Sequence, residues 1–193
     1  MLILRDWNRR QSGFAFMNTR VILIASLSLV VLPPAGMAEV LDTPIYHKAT
    51  KSYFELIDAP DGYSYRKSGD VKWSDAAKVA HRRKYKGVRG RLAIVKDIAT
   101  VAFLENTFEP RREAWIGLRF WCKYRKLTWV NGDVHSLRAF KYWNKPWRSK
   151  TACQEGVFAP VYFVTPAAGF RWRAQGQEKE WGRIFVEYPT GKP

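Results

Sequence analysis

Acidic residues are scarce in this chain: 17 Asp and Glu stand against 33 Lys and Arg in 193 residues, a formal net charge of +16. That imbalance says nothing about fold, but it selects acidic partners such as anionic glycans, lipopolysaccharide phosphates, nucleic acid or anionic lipid headgroups, unless it serves only solubility. Cysteine is nearly absent, with Cys122 and Cys153 alone, which excludes a disulfide-dense scaffold. The histidines His47, His81 and His135 are scattered, so no zinc-type Cys/His spacing arises. Gly-rich phosphate loops and a serine nucleophile elbow are missing too. There is no period of 20 to 50 residues of the kind that marks a repeat architecture, and no low-complexity tract.

Long apolar runs are also lacking. The stretch from Val21 to Leu32 is twelve residues, short of the roughly 20 that a membrane-crossing helix needs. It follows Arg20, and Pro33-Pro34 breaks it just before Ala35-Gly36-Met37-Ala38, whose small residues suit a signal peptidase. Residues 1–38 therefore read as a secretory signal, and an uncleaved membrane anchor is the lesser alternative. Met17-Asn18-Thr19-Arg20 already forms a start and a basic segment, which makes Met17 a candidate initiator. Cleavage after Ala38 removes Arg5, Arg9, Arg10, Arg20 and Asp6, leaving 29 basic and 16 acidic residues, a net +13. The remaining 155 residues suit one domain with one core. The expected location is periplasmic or secreted.

What the chain does contain is short periodic segments. Trp73, Ala76, Ala77 and Ala80 put a narrow apolar stripe on a helix whose far side carries His81, Arg82, Arg83 and Lys84. Ile98, Val101, Ala102 and Phe108 mark a second helix, which Glu109-Pro110 ends because proline drives its predecessor out of helical geometry. Short strands are expected over Tyr53 to Leu56, Ala114 to Leu118, Leu127 to Val130, Val161 to Val164, Phe170 to Trp172 and Ile184 to Tyr188. Two helices among short strands define an α+β domain. Between Gly132 and Pro160 turn formers and isolated aromatics predict a long loop region, the kind of segment that often carries function.

Several of these segments, in order, resemble a known family. Trp73-Ser74-Asp75-Ala76, Gly90-Arg91-Leu92-Ala93-Ile94, Phe103-Leu104, Trp115-Ile116-Gly117-Leu118, Thr128-Trp129-Val130-Asn131-Gly132 and Phe185-Val186-Glu187-Tyr188 are similar to the landmarks of the C-type lectin-like domain. The resemblance implies an α+β fold of two helices on small, mostly antiparallel sheets with a long loop region. It covers residues 53–188, with 39–52 as a lead-in and 189–193 as a tail. It also implies a buried scaffold of Trp73, Leu92, Trp115, Gly117, Leu118, Trp129, Trp143 and Trp172. Trp143 and Trp172 have a surface alternative, as flat faces for a sugar ring, and Trp147 stands between core and surface.

Cysteine usage departs from the family. Many members bond a first-helix cysteine to one near the last strand, and here Ala80 and Glu187 stand at about those positions. The two cysteines present are expected to form one disulfide in an oxidising compartment, stabilising the fold by roughly 3 to 4 kcal/mol in the chain-entropy model. Cys122 as a nucleophile beside a histidine is the weaker reading.

Calcium-dependent sugar binding is not implied for this member. The family's Glu-Pro-Asn or Gln-Pro-Asp triplet is replaced by Lys145-Pro146-Trp147, and the Asn-Asp pair by Arg173-Ala174. From Trp143 to Gln175 the one carboxylate is Glu155, among Lys145, Arg148, Lys150, Arg171 and Arg173. Calcium requires several hard oxygen ligands, so no metal and no cofactor is expected. The candidate ligand-binding residues are Tyr142, Trp147, Arg148, Lys150, Arg171 and Arg173: flat rings for the apolar face of a sugar and cations for its acid groups.

Glu105, Glu109 and Glu113 beside Arg111 and Arg112 read as a solvated turn rather than as paired glycosidase acids. Trp- and Arg-rich composition could also bind single-stranded nucleic acid, which export argues against. The expected function is non-catalytic recognition of an anionic glycan or other acidic envelope ligand. Docking of an acidic partner protein through the same face is the alternative. Membrane contact is expected only through an uncleaved signal or an anionic surface.

Overall fold

The computed structural model describes residues 43–61, 69–136, 138–144, 152–154, 156–164 and 171–193. The expected signal, together with Trp147, Arg148 and Lys150, lies outside the described residues.

The chain opens with β1 (Ile45–His47), β2 (Ser52–Asp58) and β3 (Val71–Lys72), then α1 (Trp73–Arg82). Three short strands follow, β4 (Lys84–Tyr85), β5 (Val88–Arg89) and β6 (Arg91–Leu92), before α2 (Ile98–Phe108). The second half supplies β7 (Ala114–Trp121), β8 (Lys126–Trp129), β9 (Phe158–Phe163), β10 (Trp172–Ala174), β11 (Glu180–Trp181) and β12 (Arg183–Tyr188). The main sheet runs β1-β2-β12-β7-β9-β10, with β6 added on β12 and β8 on β7. Its pairings are antiparallel apart from β12 on β7, where Ile184 faces Trp115.

Both faces of this sheet are covered, which explains why β7 reads as a nearly unbroken apolar run. Trp115, Ile184 and Val186 pack with Trp73, Ala76, Val79 and Ala80 of α1. On the other side Phe54, Ile116, Leu118 and Phe185 pack with Val101, Leu104 and Phe108 of α2. Gly117 belongs where the backbones crowd: a Cβ there would sit 2.8 Å from Leu92 O and 2.9 Å from Val130 Cγ2. Its N–H donates to Ala93 O at 2.8 Å, and its carbonyl accepts from Val130 N at 2.8 Å.

The helices follow local chemistry with two corrections. The buried stripe of α1 is Trp73, Ala76, Val79 and Ala80, with Val79 taking the place expected for Ala77. Ile98 starts α2 but is 56% exposed, while Asp97 caps the helix by accepting from Thr100 N at 2.7 Å. Glu109 leaves the helix as a left-handed C-cap at φ 40°, its N–H donating to Glu105 O, and Pro110 prevents the helix from continuing.

Two buried carboxylates tie the strands together. Glu55 accepts from Arg83 Nε at 2.5 Å and Nη2 at 3.1 Å, and from the Tyr188 hydroxyl at 2.5 Å. Glu187 accepts from Arg91 Nε and Nη2, Ser52 Oγ and Ile94 N. Arg83, at the C-terminal end of α1, is exposed as expected, while its guanidinium reaches in to buried Glu55. Glu187 points away from α1. The residue beside Ala80 is Val186, since a side chain at Gly90 would meet Ala80 O at 2.5 Å and Val186 Cγ1 at 2.8 Å.

Cys122 and Cys153 are disulfide-bonded, with Cα atoms 5.7 Å apart. The bond pins the segment carrying buried Ala152 to the turn between β7 and β8, where Cys122 N also donates to Val157 O at 3.1 Å. Among the described residues, no helix is long and apolar enough to cross a membrane.

Candidate functional site

Trp172 organises the loop face. It is fully buried, with Trp129, His135, Phe140 and Trp143 around it at centroid distances of 5.6 to 5.9 Å. Residues 142–144 run alongside it: Trp172 N donates to Tyr142 O at 2.7 Å and Asn144 N to Trp172 O at 2.9 Å. Trp143 is half-buried and packs against the core margin, whereas Trp73, Leu92, Trp115, Gly117, Leu118 and Trp129 are buried.

His135 buttresses this cluster. Its Nδ1 accepts from Trp129 Nε1 at 3.3 Å and its Nε2 lies 2.8 Å from Phe140 O, an arrangement that needs the neutral, Nε2-protonated tautomer. Burial lowers its pKa, and Lys96 and Lys141 push the same way against the Phe140 carbonyl.

At the surface of this platform the Arg171 guanidinium lies 5.1 Å from the Tyr142 ring centroid. Tyr142 stacks on Phe140 at 5.6 Å, and its hydroxyl donates to Glu105 Oε1 at 3.4 Å. Burial raises the Glu105 pKa, with the Tyr142 hydrogen bond and the Arg171 charge acting against it. Burial also raises the Tyr142 phenol. Glu105, expected in a solvated turn, therefore anchors the back of the site.

Arg171 and Arg173 flank Trp172 but do not meet the same group. Arg173 lies beside the buried Tyr162 hydroxyl, whose pKa burial raises while Gln175 and Arg173 pull it down. Arg171 faces the Tyr142 side and Arg173 the Tyr162 side. The described residues contain no group of three or more His, Cys, Asp or Glu that could hold a metal.

No protein-family model matches the chain. CD209 antigen-like protein A of Mus musculus is 32% identical over 73 residues, which are 38% of this chain and 29% of that protein. The chain thus matches less than a third of that relative's length. Among solved structures, SPL-1 in its GlcNAc complex superposes with a TM-score of 0.55 at 12% identity, over 79% of this chain and 96% of that one. The cow C-type carbohydrate-recognition domain of CD23, determined in the presence of a GlcNAc2Man3 oligosaccharide, gives 0.55 at 18%, over 76% and 92%. Human lithostathine gives 0.52 at 18%, over 84% and 98%. The chain has the C-type lectin-like α+β fold, two helices with mixed sheets.

Proposed function

We propose that this chain is an exported, calcium-independent binding module for an anionic glycan or other acidic envelope ligand. The stacking of Arg171 on Tyr142 carries the reading. It presents a flat ring and a fixed cation side by side, the pairing that an acidic sugar needs for its apolar face and its charged group. Trp147, Arg148 and Lys150, of the same loop region in sequence, are proposed as further ligand contacts, with Arg173 at the flank of Trp172. Support also comes from the GlcNAc complex of SPL-1 and from the carbohydrate-recognition domain of CD23, determined in the presence of a GlcNAc2Man3 oligosaccharide, which share the fold. Arginine where calcium ligands would stand favours direct recognition of acid groups over metal-bridged hydroxyls.

A glycan array probed with residues 39–193, with and without chelator and at two salt concentrations, tests this. Binding to uronate- or sulfate-bearing glycans that survives chelator and weakens with salt is expected. Binding confined to neutral sugars, or abolished by chelator, overturns the reading. If glycans fail and one acidic protein is captured in stoichiometric amount, the face is a protein-docking surface instead.

A further inference from the structure

A second concave site lies beside α1 and shares no residue with the loop face. Trp73, Leu92 and Val130 supply apolar wall, and Lys78, His81, Arg82, Arg91 and Arg119 supply nitrogen donors around a cavity of about 420 Å³. That volume falls within the roughly 300 to 1,000 Å³ of small-ligand pockets. At about 30 Å³ of liquid volume per water it has room for a solute of roughly a dozen heavy atoms.

No carboxylate lines this cavity. Two lie behind its cations: Asp75 pairs with Lys78 at 2.9 Å, and Glu187 accepts from Arg91. Arg119 has no such counterpart among the described residues. Its guanidinium sits 4.5 Å from the Trp121 ring centroid, 5.3 Å from Trp73 and 5.7 Å from Phe158. Its Nε is buried without a hydrogen-bond partner among the described residues. Three aromatic faces hold the charge in place and partly offset its desolvation, but they accept none of its directed N–H bonds. Arg119 is half-buried, and desolvating a cation without an anion is costly.

Position in the fold explains the arrangement. Arg119 follows Trp115 and Gly117 on the α1 side of β7, where alternation would place another apolar residue. The ladder between β7 and β9 shifts register between Trp115 and Arg119.

We propose that this cavity is a second binding site, for a monosaccharide-sized organic anion with an apolar face. Arg119 holds the carboxylate, sulfate or phosphate, Trp73, Leu92 and Val130 carry the ring, and Lys78 and Arg82 close the rim. The site does not depend on the reading of the loop face.

Nuclear magnetic resonance titration of the full chain with glucuronic acid, glucose 6-phosphate, glucose and inorganic phosphate tests it. Saturable shifts are expected at the Leu92 and Val130 methyl groups and the Trp73 indole with the two acidic sugars. Glucose and inorganic phosphate should give far weaker ones. The two acidic sugars distinguish carboxylate from phosphate preference. Arg119→Gln should weaken binding roughly tenfold, the scale of one lost charge-assisted contact. If that variant does not fold, Lys78→Gln with Arg82→Gln, both exposed, should weaken binding severalfold, whereas Arg125→Gln should not. The proposal is overturned if neither acidic sugar shifts these resonances, if glucose shifts them equally, or if the shifts fall on Tyr142 and Arg171 instead. Unchanged affinity in a folded Arg119→Gln variant also overturns it.

Discussion

Arg171 rests 5.1 Å above the ring of Tyr142 while that ring's hydroxyl reaches Glu105. The stack fixes a cation at the edge of the aromatic platform, and Glu105 fixes the platform from behind. Arg171→Gln together with Arg148→Gln should cost roughly tenfold per arginine in affinity for a sulfated oligosaccharide and flatten its salt dependence. Tyr142→Phe keeps the ring and should lose little. Exposed Arg89 and Arg125 give the control pair, because Arg83 is bound to buried Glu55 and its loss would damage the fold. Calorimetric titration of both double variants checks this. Equal losses in the two pairs would show that the attraction is diffuse charge and not a defined site.

Reducing the Cys122–Cys153 bond should lower folding stability by roughly 3 to 4 kcal/mol in the chain-entropy picture. Cys122→Ser with Cys153→Ser, compared with the parent chain by chemical denaturation, measures it. Ala152 is buried next to the bond, so the double variant should also expose the segment before β9 to protease. An unchanged midpoint and an unchanged cleavage pattern would mean that packing alone holds the loop.

Local chemistry was legible where one residue settles one geometry. Pro110 announced the end of α2, while the crowding that Gly117 relieves beneath Leu92 and Val130 showed only in the fold. Pairings between distant segments were not. Glu105 meets Tyr142 across 37 residues and Glu55 meets Arg83 across 28, and no periodicity carries such information. Strand limits failed for a related reason. β9 begins at Phe158, before Pro160, which a local reading takes as a barrier because proline donates no ladder hydrogen bond. The β7–β9 ladder shifts register here, resuming with Arg119 opposite Pro160. The two-residue strand β11 exists only by pairing with distant β3, so its sequence gives no signal, whereas β4 and β5 form a local hairpin across Lys86-Gly87.

The tryptophans should separate scaffold from site. Trp115 is fully buried and donates from Nε1 to Val71 O at 2.8 Å, so Trp115→Ala should cost about 3 to 5 kcal/mol, a large part of a domain's net stability. Gly117→Ala should cost about 1 to 3 kcal/mol, the scale of overpacking, since the new methyl meets backbone oxygen. Trp147→Ala is expected to leave the melting temperature nearly intact and weaken ligand binding. Unfolding by Trp147→Ala with unchanged binding per folded molecule would move that residue into the core.

Acid should weaken the fold before the carboxylates titrate. His135 is held neutral by accepting from Trp129 and facing the Phe140 carbonyl, and burial lowers its pKa below the ordinary 6.5. His47, stacked on Phe103 at 4.4 Å, is lowered by burial too, with Asp97 opposing. A lowered folded-state value means that the unfolded chain binds more protons over the interval between that value and 6.5. The stabilisation is therefore complete above pH 6.5 and drains away as pH falls through that interval. Denaturation midpoints measured from pH 7.5 down to 5 should decline, and His135→Gln, which retains one acceptor and one donor, should decline less steeply. A parent chain whose stability is flat or rises across that range would show that His135 becomes protonated within the fold, breaking the tautomer that links Trp129 to Phe140.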